Sequence, residues 1–185
     1  GAASCRTGNI NLTLPRAVTA LAWALAQAGE TAAALSALQE GETLLQRLVA
    51  QGSGGHLGLP YAYLGHACLL LGRPDKSREL AERAIAISPG HHGALAYAQF
   101  LLGDIATHPD RADVAAGEAH YRNVLAIAGP RAMRPLLAHC HHALGLLYGR
   151  SGAQTRALEQ FSTATTMYRE MGMRSWMDQV ELHTR

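Results

Sequence analysis

Apolar and small residues recur along the chain at fixed offsets, and the offsets agree between distant segments. In one segment Leu64-Gly65 is followed by Cys68, Gly72, Ser77, Ala81 and Ala84, with Pro89 beyond. In another, Leu144-Gly145 is followed by Tyr148, Gly152, Ala157, Phe161 and Ala164 at the same spacings. Steps of three and four residues belong to helices, not strands. Each position has a physical reason. Gly65 and Gly145 let two helices approach closely, and Gly72 and Gly152 end the first helix of each pair in a tight turn. Ala84 and Ala164 are small where the second helix meets the next pair, and Pro89 stops a second helix.

Two looser copies flank these. Leu21-Ala22, Leu25 and Gly29 repeat the first helix and its turn, with Ala34 and Leu38 in the second. Leu95, Ala98, Gln99 and Leu102 form another first helix, and Gly117, Tyr121 and Val124 its second. The equivalent small positions Ala22, Gly65, Gln99 and Gly145 are spaced by 43, 34 and 46 residues. The extra length falls in loop-type stretches at 51–58 and 108–113 and around Gly129-Pro130. Gly172 to Met177 matches Ala132 to Leu137 at 40 residues' distance, so the chain ends on a lone helix. The pattern resembles the tetratricopeptide repeat, a helix-turn-helix of about 34 residues. The fold expected is all-α: a right-handed superhelix, or α-solenoid, of antiparallel helix pairs in one domain, 1–185. Repeats fall at about 15–50, 58–90, 92–129 and 133–170, with a capping helix at about 173–183.

Composition narrows the function. The chain is 48% hydrophobic but only 5% aromatic, which suits small-residue helix packing and argues against disorder. A net charge of +2 with no clustered basic run excludes a nucleic-acid footprint. No apolar run approaches the length of a membrane span, so no membrane partner is expected. Cys5, Cys68 and Cys140 are far apart and odd in number, which fits reduced thiols in the cytoplasm. Lys76 is the only lysine beside many arginines, a bias of high-GC bacterial genes. The chain starts without Met, and 1–14 has no matching helix; both suggest a fragment of a longer protein.

A closer resemblance lies in Tyr121–Ala128, Met133–His141, Leu144–Tyr148 and Thr163–Arg174. These stretches resemble the C-terminal repeat region of bacterial proteins in which a class III adenylate/guanylate cyclase domain precedes an AAA-like ATPase. The resemblance implies a regulatory tail and carries no catalytic residue with it. The glycine-rich run at 52–58 lacks the lysine of a phosphate-binding loop. No enzyme activity and no cofactor are therefore expected of this chain.

Two constellations compete with a binding role. His139 and His142 lie one helical turn apart, as a metal pair would, but zinc wants three or four donors. No metal is expected, and these residues read as packing or groove polarity. Cys140 beside His139 and His141 suggests a nucleophile, but adjacent helical residues point in different directions.

In the tetratricopeptide repeat, chosen first-helix positions line a concave surface. Projected here, they are Arg16, Thr19, Trp23 and Gln27 in the first repeat, and Leu59, Ala62, His66, Leu69 and Leu70 in the second. The third gives Ala96, Phe100 and Asp104, and the fourth His139, His142, Leu146 and Arg150. An apolar, weakly basic groove suits an extended or helical peptide with apolar anchors. The expected partner is thus a protein or peptide segment, which includes another domain of the same polypeptide. The expected function is an interaction scaffold, the sensor or regulatory tail of a signalling cyclase or ATPase. The alternative is a stand-alone repeat protein that self-associates into a homo-oligomer.

Overall fold

The computed structural model describes residues 13–109 and 113–184; Cys5 and most of the expected N-terminal tail lie outside them. The described residues form nine α-helices and no strand: α1 Leu14–Gln27, α2 Thr31–Ala50, α3 Gly58–Leu70, α4 Pro74–Ile87 and α5 His92–Ala106. They continue as α6 Val114–Ala128, α7 Arg134–Arg150, α8 Gln154–Glu170 and α9 Arg174–Thr184, with a short 3-10 turn at Gly129–Arg131. The fold is all-α and tetratricopeptide-like. Among the described residues no helix is long and apolar enough to cross a membrane.

The turns explain the helix ends. Gly72 (φ 72°) and Gly152 (φ 79°) occupy left-handed backbone that side chains disfavour. At each, the following amide reaches back over the turn: Arg73 N–H to the Cys68 carbonyl and Ala153 N–H to that of Tyr148, both at 2.9 Å. This closure satisfies a helix-end carbonyl. Ala132 (φ 49°) takes the same role before α7, and is the one non-glycine at positive φ among the described residues. Serine does related work at Ser88, whose hydroxyl accepts from Gly58 N–H at 3.1 Å and donates to the Gly55 carbonyl at 2.9 Å.

The chain packs as two compact units, 1–101 and 102–185, with the boundary inside α5. In the first, Leu38, Leu45, Leu64, Cys68 and Leu80 are nearly or fully buried between α1, α2, α3 and α4. Ser77 on α4 donates a hydrogen bond at 2.8 Å to the carbonyl of Gly65 on α3. In the second unit, a Cβ at Gly145 would stand 2.5 Å from the Phe161 ring, so α7 and α8 can touch only because that position is bare. Fully buried Tyr121 of α6 lies against α5, where a Cβ at Gly103 would stand 2.5 Å from its ring.

Candidate partner-binding surfaces

In the first unit, the first helix of each pair contributes to an aromatic cluster. Trp23 on α1 stacks on His66 of α3, with ring centroids 4.3 Å apart and planes 12° apart. The His66 ring lies 5.6 Å from that of Phe100 on α5. Tyr63 and Tyr97 join from positions 34 residues apart, the spacing of one repeat. Tyr97 meets Tyr63 at 5.4 Å and 90°, and Trp23 at 6.2 Å and 86°, edge-to-face contacts that hold rings in fixed orientation. Trp23 and Tyr97 are half-buried, whereas Tyr63, His66 and Phe100 are buried. Burial pushes the Tyr97 hydroxyl up to about 12, with Tyr63 adding to the rise and Arg16 opposing it, so it stays a donor at neutral pH. Arg16 and Gln27 are exposed, and Leu69 is half-buried.

The second unit holds a pocket of about 180 Å³ that includes Asp104, Thr107, Tyr121, Leu146 and Arg150 in its lining. The Tyr121 hydroxyl donates to an Asp104 carboxylate oxygen at 2.8 Å, and lies 3.1 Å from the Thr107 hydroxyl. Arg150 on α7 donates from Nη1 to the Thr107 carbonyl at 3.0 Å, across to the end of α5. Burial pushes the Asp104 carboxyl up to about 7, against the hydrogen bond from Tyr121 that lowers it. The pocket therefore combines apolar walls, a guanidinium, and a carboxyl that changes charge near neutrality.

His139 and His142 lie elsewhere, in an aromatic cluster that the terminal helix closes. His139 Nδ1 is 2.8 Å from the Tyr168 hydroxyl of α8, and its ring is 4.4 Å from that of Trp176 on α9. The His142 ring is 6.0 Å from Phe161 and 5.9 Å from His183 of α9. Burial lowers both histidines to about 4; each is lowered further by a neighbouring imidazole, His142 for His139 and His183 for His142. Both are neutral at physiological pH. Cys140 is fully buried and its thiol pushed far up by burial, which leaves no thiolate to attack. Cys68, likewise buried, is pushed up to about 11 by burial. Among the described residues no group of three or more His, Cys, Asp or Glu is placed to hold a metal ion.

The projected groove residues thus separate. Trp23, His66 and Phe100 come together in the first unit, and Asp104, Leu146 and Arg150 around the pocket of the second. His66, Phe100 and His142 are 3%, 8% and 7% exposed, so they are floor and packing residues rather than open lining. Thr19, Ala62 and Ala96 are fully buried as well. The reason is geometric: on a helix flanked by its neighbours, a residue one step around the face points into the adjoining helix instead of outward. Tyr63, Tyr97, Thr107, Tyr121 and Trp176 were not projected as lining. The repeat offset that links Tyr63 to Tyr97 is the signal that finds two of them.

These surfaces belong to a helical-repeat module built from paired helices. Residues 61–91, which run from α3 through α4, match the family model described as a tetratricopeptide repeat. No curated protein matches the chain. A repeat of this type supports a protein–protein interaction scaffold.

Proposed function

We propose that the chain binds an extended or helical peptide segment of a partner protein through its first-helix faces. The observation that carries this reading is the half-buried, oriented pair Trp23 and Tyr97, with exposed Arg16 and Gln27 on α1 beside them. Rigid aromatics supply contact area at low entropic cost, which is why they dominate binding hot spots. Asp104, Leu146 and Arg150 offer a second anchor point in the pocket of the other unit. In the finer reading, the partner is a domain of the same signalling polypeptide and the chain is the regulatory tail of a nucleotide cyclase or AAA-like ATPase. The support for that is the resemblance of the stretches from Tyr121 to Arg174.

The test is selection of peptides from a random display library on the purified chain, followed by titration. Selected peptides should bind Trp23→Ala at least about tenfold more weakly, as for a hot-spot aromatic. Peptides whose affinity survives both Trp23→Ala and Arg150→Ala place the binding surface elsewhere.

A further inference from the structure

The rings of the first unit pack too closely to enclose a ligand between them. Trp23 meets Tyr63 at 5.5 Å between centroids, Tyr63 meets Tyr97 at 5.4 Å, and Trp23 meets Tyr97 at 6.2 Å, all contact distances for aromatic pairs. A cage for an ammonium ion holds its rings apart around the ion, and such an ion would also meet Arg16, which acts on the Tyr97 hydroxyl. The cluster is instead a continuous aromatic surface, on which half-buried Trp23 and Tyr97 are still partly open to solvent. Its accessible polar groups are donors. No described residue accepts from the Trp23 indole N–H, which reaches solvent. The Tyr97 hydroxyl keeps its proton at neutral pH, and Arg16 is exposed. None of these residues carries a carboxylate.

Resting on the peptide-binding role of this face, we propose that its ligand is a proline-rich segment in the polyproline II conformation with an acidic residue at its flank. The donors select the conformation. A helix satisfies its carbonyls with its own amides. A helical ligand would therefore cover the indole N–H and the Tyr97 hydroxyl and displace their water without returning an acceptor. Polyproline II has no internal hydrogen bonds, so its carbonyls are open to such donors. The rings select the side chain. Pyrrolidine rings dock on aromatic surface, and a segment already held extended loses little freedom on binding. Arg16 selects the flank. It lies seven residues before Trp23, two turns away on the same face of α1, and is the cation that acts on Tyr97. A carboxylate is attracted there, whereas a lysine or arginine is repelled.

Isothermal titration calorimetry on the chain 1–185 tests it with three synthetic peptides. One is an oligoproline of about ten residues flanked by aspartates, the second the same oligoproline flanked by arginines, and the third an alanine-based helical peptide flanked by aspartates. The aspartate-flanked oligoproline should bind about tenfold more tightly than the helical peptide, and about threefold or more above the arginine-flanked one. Tyr97→Ala should weaken it at least about tenfold, with native circular dichroism. Arg16→Glu alters an exposed side chain and should reverse the preference between the two oligoprolines. A helical peptide that binds as well as the oligoproline overturns the proposal. So does a flank preference that Arg16→Glu leaves unchanged, oligoproline affinity that Tyr97→Ala leaves unchanged, or no oligoproline binding at about 1 mM. Display-selected peptides that depend on Trp23 or Arg150 without enrichment in proline remove only the proline ligand. Peptides indifferent to both substitutions remove the peptide-binding role as well.

Discussion

The two neutral histidines under the terminal helix make the second unit acid-sensitive by a calculable amount. His142 is 7% exposed and titrates at about 4 because of burial and the neighbouring His183. In the unfolded chain it titrates near 6.5. The folded value is lowered, so the unfolded state binds protons first as the pH falls, and stability falls with it. The loss begins near 6.5 and is complete below about 4. Linkage gives about 2 kcal/mol lost between pH 7 and pH 5 for such a group. His139 adds a smaller amount of the same sign, since it is partly exposed. Asp104 works the other way. Its carboxyl is raised to about 7 by burial, so lowering the pH toward 5 relieves a penalty of comparable size. The raw pH dependence of the wild type is therefore blunted, and the informative quantity is a difference. Urea unfolding of wild type and His142→Leu, in a Trp23→Phe background so that Trp176 alone reports, should be run at pH 7 and pH 5. The variant should lose about 2 kcal/mol less than the wild type on acidification. Equal losses in the two proteins refute a buried neutral His142.

Three further outcomes follow from local geometry. Ala132→Gly removes the penalty of a left-handed alanine (φ 49°) and should raise stability by about 1 kcal/mol, read as a shift of the urea midpoint at unchanged slope. Gly145→Ala drives a Cβ into the Phe161 ring and should cost about 1–3 kcal/mol, part of which Phe161→Leu recovers in a double-mutant cycle. Asp104→Asn keeps the contact with Tyr121 and abolishes the titration, so the opposing pH slope disappears while the far-ultraviolet spectrum is unchanged; a slope that persists assigns it to another group.

Helix identity was legible because the chain spells out the close approaches. Gly65 and Gly145 mark the bare crossings, and Gly72 and Gly152 mark the turns, since few other residues tolerate those conformations. The turn before α7 was harder to read. Ala132 holds a left-handed backbone without being glycine, so nothing in its identity announces it. The binding faces were only partly legible. A projection along one helix orders its residues but does not say which neighbour each will meet, so His142 came out as lining whereas Phe161 and His183 enclose it. The Asp104–Tyr121 contact joins residues 17 apart on two helices. That distance depends on how α6 lies against α5, which no local pattern specifies.

The contact between Tyr168 and His139 fixes more than a side-chain position. Tyr168 is fully buried and burial holds its proton firmly, so the hydroxyl needs an acceptor, and Nδ1 of His139 lies 2.8 Å away. Where that hydroxyl donates, the proton of the neutral ring resides on Nε2, and where it accepts, on Nδ1. Either direction selects one tautomer in a ring that also touches Trp176. The nitrogen chemical shifts of this single imidazole form a built-in spectroscopic label for the aromatic contacts at the end of the chain, readable without any substitution.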